Sequence, residues 1–161
     1  MIKGKVWKYG NNINTDGMYP GKYLVHFGKE EVAKHAMEGI DKDFASKVTK
    51  GDIIVAGSNF GTGSAREQAA MALAYAGISA VIADSFNRTF YRNAFNNGLL
   101  AIPCEGISEK ISQGDILEID IEAGLIKNLT TKEEISIDPV PEFMLAILAA
   151  GGAIPYYKER L

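Results

Sequence analysis

The stretch of residues 52–68 constrains this chain more than any other part of its sequence. Residues 53–56 are β-branched or small and apolar, follow a Gly-Asp turn, and are typical of a buried strand. The loop 57–63 contains three glycines, so its backbone can approach a ligand closely. Ser64 and Arg66 then open an alanine-rich helix, whose first N–H groups are free to bind an anion. The arrangement predicts an anion-binding site.

Length, composition and charge exclude several classes of protein. The 161 residues, 47% of them hydrophobic, suffice for one domain, residues 1–161, with a substantial core. A net charge of −3 and a pI near 5.4 argue against nucleic-acid and membrane-surface partners. The single cysteine, Cys104, excludes an internal disulfide and a cysteine-ligated cluster held by this chain alone. Without a signal-peptide pattern or an apolar stretch of membrane-spanning length, we expect a cytoplasmic protein.

The order of apolar and helical segments predicts an α/β fold. Apolar strands alternate with helices of the length found in parallel β–α–β units. These predicted elements are strands at 52–56, 78–83 and 99–102, and helices at about 65–76 and 86–97. The flanking regions predict a strand at 2–8, short helices at 30–37 and 43–48, a hairpin of 116–121 and 125–129, a strand at 134–137, and a helix at 141–150.

The glycine loop does not fit the common nucleotide-binding motifs. A Walker loop needs a lysine followed by serine or threonine after its second glycine, and neither occurs here. A dinucleotide fingerprint fits better, since Gly61 and Gly63 supply two glycines and Asp84 lies where a ribose-binding acid belongs. However, Arg66 occupies the position of the third glycine, where a bulky cation would obstruct helix–strand packing.

Ser64 has two compatible interpretations. Its spacing from Glu67 is that of a capping box, with Ser64 as the N-cap, and such a pattern by itself indicates only a helix start. Arg66 favours a functional interpretation, because a cation in the first helical turn opposes the helix dipole unless an anion lies in front of it.

Several motifs occur in a fixed order along nearly the whole chain: Asn14-Thr15-Asp16, Tyr23-Leu24-Val25, and residues 57–68, 85–94, 97–99 and 151–156. In these motifs the chain resembles the small subunits of 3-isopropylmalate dehydratase, which correspond to the swivelling domain of the aconitase superfamily. The resemblance implies a swivelling β/β/α three-layer domain with a mostly parallel central sheet. It also implies half of a hydro-lyase, which removes and re-adds water on a hydroxy-diacid.

The resemblance implies a partner that carries the metal. In this family a large subunit holds a [4Fe–4S] cluster through three cysteines, and one iron stays open to substrate. A chain with Cys104 alone corresponds to the half without the cluster. We therefore expect no cofactor or metal on this chain, a heterodimer or heterotetramer with the large subunit, a small hydroxy-diacid substrate, and neither nucleic-acid nor membrane partners.

The resemblance also places the functional residues. The family's general base falls on Ser64, whose hydroxyl a helix N-terminus and the Arg66 guanidinium would activate. Arg66 corresponds to the arginine that clamps a substrate carboxylate, for which its planar fork is suited. Asp16 corresponds to the aspartate that pairs with a histidine, the leaving-group acid, of the other half. The neighbouring Gly63 and Ala65 are expected to contact substrate.

Leu24 and Val25 fall on the family's loop that selects the third substituent of the substrate. An arginine there accompanies an additional substrate carboxylate, so the two apolar residues favour an alkyl group. The main hypothesis is conversion of 2-isopropylmalate to 3-isopropylmalate in leucine biosynthesis. The chain departs from the usual pattern at Thr62, Ala65 and Gln68. Small subunits of 2,3-dimethylmalate dehydratase or homoaconitase, or a non-enzymatic small-anion binding module, stay open as alternatives.

Overall fold

The computed structural model describes residues 1–64 and 66–161, so Ala65 lies outside the described residues. Its strands are β1 (Ile2–Lys8), β2 (Ile53–Ala56), β3 (Ala80–Ala83), β4 (Leu100–Pro103), β5 (Ile116–Asp120), β6 (Leu125–Asn128) and β7 (Glu134–Ser136). Its helices are α1 (Thr15–Met18), α2 (Lys29–Lys34), α3 (Phe44–Lys47), α4 (Glu67–Tyr75), α5 (Arg88–Asn96), α6 (Ile107–Lys110), α7 (Glu142–Ala150) and α8 (Ala153–Lys158). A short 3-10 helix, Gly21–Tyr23, precedes α2. The predicted α/β class is confirmed.

One half of the sheet is parallel, as the alternation of strands and helices predicts. The seven strands lie in the order β4-β3-β2-β1-β5-β6-β7, and β1 to β4 pair in parallel. Every residue of β2 and β3 is buried, which explains why these strands are continuously apolar rather than alternating. Open α/β sheets bind their ligands at the carboxyl ends of their parallel strands, which here are the carboxyl ends of β1 to β4.

The other half of the sheet is antiparallel, because the predicted hairpin adds to the opposite edge of β1. Strand β1 pairs with β5, β5 with β6, and β6 with β7, all antiparallel. In β5 buried residues alternate with partly exposed ones, which is the pattern of a sheet with one covered face. The expectation of a mostly parallel sheet is therefore confirmed only for β1 to β4.

Two helices begin later than the sequence pattern predicts, for different local reasons. Helix α5 starts at Arg88 because the side chain of Asn87 caps it, accepting hydrogen bonds from the backbone of Thr89 and Phe90 at 2.9 and 3.3 Å. Helix α4 starts at Glu67, and its N-cap position is Arg66, which makes no side-chain capping bond. No helix among the described residues is long and apolar enough to cross a bilayer.

Candidate active site

The glycine loop lies against the segment that follows β1, and the two backbones hydrogen-bond well beyond the ends of their strands. Five backbone bonds of 2.8–3.0 Å join them: Tyr9 N–H to Val55, Gly57 N–H to Gly10, Asn12 N–H to Ser58, Gly61 N–H to Ile13, and Thr15 N–H to Thr62. The Thr15 hydroxyl then donates to the carbonyl of Ser64 at 2.5 Å. This pairing places residues 14–16 directly beside Ser64.

Two glycines of the loop are required for different physical reasons. Gly61 has φ +87°, and a Cβ there would lie 2.2 Å from Cβ of Phe90, so helix α5 packs against bare backbone. Gly63 has φ +94°, but a Cβ would approach no atom closer than 3.6 Å, so its backbone conformation alone favours glycine. Gly63 is exposed, next to the exposed Ser64.

The capping box predicted for Ser64 is not formed, because α4 starts three residues after Ser64 and the N-cap position belongs to Arg66. The Ser64 carbonyl instead accepts hydrogen bonds from the Thr15 hydroxyl and from the Arg66 N–H, at 2.5 and 2.8 Å. Ser64 is thus held through its backbone, and its side chain does not serve as the helix cap.

Arg66 and Asp16 form an ion pair across the two segments. Nη1 of Arg66 lies 2.6 Å from Oδ1 of Asp16, and the same nitrogen contacts the carbonyl of Tyr19 at 3.4 Å. Asp16 also accepts the Gly21 N–H at 3.2 Å. In the isolated chain, Asp16 therefore supplies the anion that was expected in front of Arg66.

The ion pair shifts the titration of Asp16. The hydrogen bond from Arg66, assisted by the Gly21 N–H, holds the pKa of the Asp16 carboxyl below its ordinary value. The side chain of Asp16 is 69% exposed and that of Arg66 only 26%, so the guanidinium is the fixed member and the carboxylate the accessible one. Asp16 also borders a cleft of about 390 Å³ with Lys22 and Lys42 on its walls.

Leu24 and Val25 lie at the end of the 3-10 helix that passes Arg66 at Gly21. Leu24 is half-buried against the core, whereas the Val25 side chain is 73% exposed. Of the two residues expected to select the substituent, Val25 is therefore the one open to a ligand.

The site residues offer no ligand set for an iron–sulfur cluster. Cys104, the only thiol of the chain, is half-buried at the end of β4, and burial raises its pKa. Ala65, predicted to contact substrate, lies outside the described residues. Thr15, whose hydroxyl holds the Ser64 carbonyl, was not predicted as a site residue, and its place next to Asp16 in the Asn14-Thr15-Asp16 motif was the available signal.

We predict that replacing Arg66 by Gln raises the pKa of Asp16 toward the value of a free carboxyl, about 3.9. The pKa is lowered in the folded chain, so the pair contributes stability above about pH 4 and loses it as pH falls through the lowered pKa. Carboxyl ¹³C NMR titration of the chain measures the shift. Arg92→Gln, which removes an exposed arginine of α5, should leave it unchanged. Equal pKa values in the parent chain and in Arg66→Gln would contradict the pairing.

Comparison with known proteins places this arrangement in a family. Residues 8–107 match the model of the aconitase C-terminal domain. The isopropylmalate/citramalate isomerase small subunit of Methanocaldococcus jannaschii is 56% identical over 161 residues, covering 100% of this chain and 96% of that protein. The 3-isopropylmalate dehydratase small subunit 1 of Thermotoga maritima is 52% identical, covering 99% of this chain and 96% of that protein.

A solved structure agrees with these matches in fold. The crystal structure of 3-isopropylmalate dehydratase (LeuD) from Methanocaldococcus jannaschii superposes with a TM-score of 0.93 at 46% identity, covering 99% of this chain and 94% of that one. The matched residues 8–107 begin at the last residue of β1 and contain the glycine loop together with Asp16, Ser64 and Arg66. The chain therefore belongs to the aconitase C-terminal domain family, among the small subunits of 3-isopropylmalate dehydratase.

Proposed function

We propose that this chain supplies Ser64, Arg66 and Asp16 to an active site that a large subunit completes, and that the enzyme converts 2-isopropylmalate to 3-isopropylmalate. The observation that carries the proposal is the Arg66–Asp16 pair beside the backbone-anchored Ser64, at the carboxyl end of parallel strands. A simple anion site needs the guanidinium but has no use for a carboxylate in front of it, so Asp16 favours an enzyme over a binding module.

Ser64 acts as the general base in this proposal. It accepts the proton from the carbon beside a substrate carboxylate when water is eliminated, and returns a proton when water is re-added at the neighbouring carbon. Its two backbone anchors fix the position of the residue, so the hydroxyl can be directed at substrate instead of at a helix N-terminus. A nearby cationic Arg66 favours the deprotonated form of the hydroxyl.

Arg66 binds a carboxylate of the substrate. Nη1 is held by Asp16 and the Tyr19 carbonyl, which orients the guanidinium plane before substrate arrives. A built Cβ on Gly21 would lie 3.2 Å from Nη2 and 3.3 Å from Nη1, so the glycine keeps the space beside the guanidinium open. The remaining edge of the guanidinium can donate two parallel hydrogen bonds to a substrate carboxylate.

Asp16 faces the partner in the proposed complex. Its exposed carboxylate, with a lowered pKa, stays ionised at neutral pH and can accept a hydrogen bond from a histidine of the large subunit. A [4Fe–4S] cluster on that subunit would act as the Lewis acid for the departing hydroxyl. This chain, with one cysteine, contributes none of the thiolates.

The choice of an alkyl-substituted substrate rests on Val25 and its neighbours. Lys22 and His26 flank the loop, and both are occupied with the ring of Tyr23: Nζ of Lys22 lies 5.1 Å from its centroid, and His26 stacks at 6.0 Å. The exposed apolar groups left at the turn are the isopropyl side chain of Val25 and the ring of Phe27, and Val25 is the one at the position that the family loop assigns to the substituent. Citramalate, named for one relative, and 2,3-dimethylmalate carry methyl groups in place of isopropyl and are the competing substrates.

Reconstitution with the large subunit tests this function. We expect hydration and dehydration of 2-isopropylmalate only when this chain and a cluster-loaded large subunit are combined anaerobically. Citramalate, 2,3-dimethylmalate and homocitrate should be compared at equal concentration, and 2-isopropylmalate should give the highest kcat/KM. Activity of this chain alone would contradict the subunit assignment, and a preference for homocitrate would contradict the substrate class.

Replacing Ser64 by Ala should lower kcat of the reconstituted enzyme by on the order of 10²- to 10⁴-fold, because only the base is lost. The hydrogen bonds that hold Ser64 are made to its carbonyl and do not involve its own hydroxyl. The fold and the complex should therefore persist, as checked by circular dichroism and gel filtration. Ser58→Ala removes an exposed hydroxyl from the same loop and should retain activity. Full activity of Ser64→Ala would rule out the base assignment.

Replacing Val25 by Arg should shift preference toward substrates with an additional carboxylate. We expect the ratio of kcat/KM for homocitrate to that for 2-isopropylmalate to rise by at least about 10-fold, through both a new ion pair and a lost apolar contact. Leu129→Arg places the same charge on the distant β6–β7 turn and should leave the ratio unchanged. An unaltered ratio in Val25→Arg would mean that this turn does not contact the third substituent.

A further inference from the structure

Three rings, those of Tyr23, His26 and His35, stack where the end of the 3-10 helix meets the end of α2, and the proposed reaction uses none of their nitrogen or oxygen atoms. The Tyr23 and His35 rings lie 3.6 Å apart at 7°, and His26 stacks against the same pair, with its centroid 5.6 Å from that of His35. His26 belongs to the loop that follows Val25, whereas His35 ends α2. The stack therefore joins the loop to that helix.

The two imidazoles meet a carboxylate from α2. One potential ligand atom each from His26, Glu31 and His35 lie within 4.8 Å of one another, and this is the one such group among the described residues. Two imidazole nitrogens and a carboxylate oxygen are a ligand set of zinc sites that keep a fourth position for water. His35 was given no role from the sequence, although its spacing of four residues from Glu31 places the two side chains on one face of the predicted helix.

A second carboxylate orients His35. Oε2 of Glu38 lies 2.5 Å from Nδ1 of His35, and the Tyr23 hydroxyl donates to Oε1 of Glu38 at 2.6 Å. Oε2 of Glu38 is placed to accept from Nδ1–H of His35, which leaves Nε2 as the His35 nitrogen available to a cation. A carboxylate that accepts a hydrogen bond from a histidine in this way is a usual support of a metal-binding histidine.

We propose that His26, Glu31 and His35 form a binding site for a divalent cation of the Zn²⁺ class, with Glu38 as the support of His35. In a tetrahedral zinc site neighbouring ligand atoms lie about 3.3 Å apart, as metal–ligand distances near 2 Å require. The side chains must therefore close by on the order of 1 Å, a movement available to His26 on its loop.

One contact competes with the cation. Oε1 of Glu31 pairs with Nζ of Lys34 at 2.9 Å, but both side chains are largely exposed, and such pairs are weak. The second carboxylate oxygen of Glu31 also stays available, so the lysine can remain beside a bound cation.

A bound cation would tie residues 24–27 to α2 through His26. Because Val25 precedes His26, the cation would restrain the turn to which we assign substrate choice. That consequence rests on the proposed function, whereas the binding itself does not.

Titration of the purified full chain with Zn²⁺ tests the site, after removal of bound metals and with a chromophoric chelator as competitor. We expect one equivalent to bind, and Mg²⁺, which prefers oxygen ligands, not to compete. His26→Gln and Glu31→Gln should each weaken binding by at least 10-fold. Glu38→Gln should weaken it 10- to 100-fold, as loss of a supporting carboxylate does. Glu30→Gln, at the neighbouring exposed position, should bind as the parent chain does.

Absence of Zn²⁺ binding by the parent chain would overturn the proposal. An affinity equal to that of the parent chain in both His26→Gln and Glu31→Gln would also overturn it, as would binding that disappears only in Cys104→Ser. Circular dichroism of each variant confirms that the fold is retained, and both ligand variants lie at partly or fully exposed positions. Failure of this titration leaves the reconstitution result untouched, because neither Ser64 nor Arg66 takes part in it.

Discussion

The structure of the site depends on the parallel pairing of β1 with β2 and its continuation into the loops that follow. Five backbone hydrogen bonds continue this pairing beyond the strands, from the Tyr9–Val55 contact to the Thr15–Thr62 contact. Buried backbone groups such as those of Ile13 and Gly61 need partners, and the two loops satisfy one another. The consequence is that Asp16 and Arg66, fifty positions apart in sequence, meet at 2.6 Å.

The energetic role of that ion pair is smaller than its geometric one. Asp16 is largely exposed, and exposed pairs contribute little to the free energy of unfolding. A planar guanidinium held at one edge by a carboxylate and a carbonyl, however, has lost most of its freedom before a ligand arrives. Preorganisation of this kind lowers the cost of binding a second carboxylate at the free edge. The pair therefore serves binding more than stability.

The chain's own pattern predicted the parallel half of the sheet well, because apolar runs such as β2 and β3 are buried on both faces and alternate with helices. Local patterns were less informative where tertiary contacts determine the local backbone structure. The spacing of Ser64 and Glu67 is that of a capping box, yet Thr15 holds the Ser64 carbonyl and the helix starts later. The loop pattern itself identified Ser64 and Arg66 as an anion site, whereas Asp16 and the catalytic roles of all three residues came from family resemblance. Those roles stay predictions. No local pattern predicted the His26–His35 stack, because these two rings meet only through packing on Tyr23.

The two parts of the proposed site are supported in different ways, and this difference bears on how specificity can vary. Ser64 is held through its carbonyl, which accepts from the Thr15 hydroxyl and from the Arg66 N–H, so substitution of the Ser64 side chain itself leaves this anchor in place. The turn bearing Val25 is attached mainly through side chains: the Tyr19 hydroxyl binds the Tyr23 carbonyl, and Tyr23 reaches Glu38. Changes around Tyr23 can therefore reshape the pocket for the substituent without displacing the base. A fold built in this way can keep one reaction while its substrate changes.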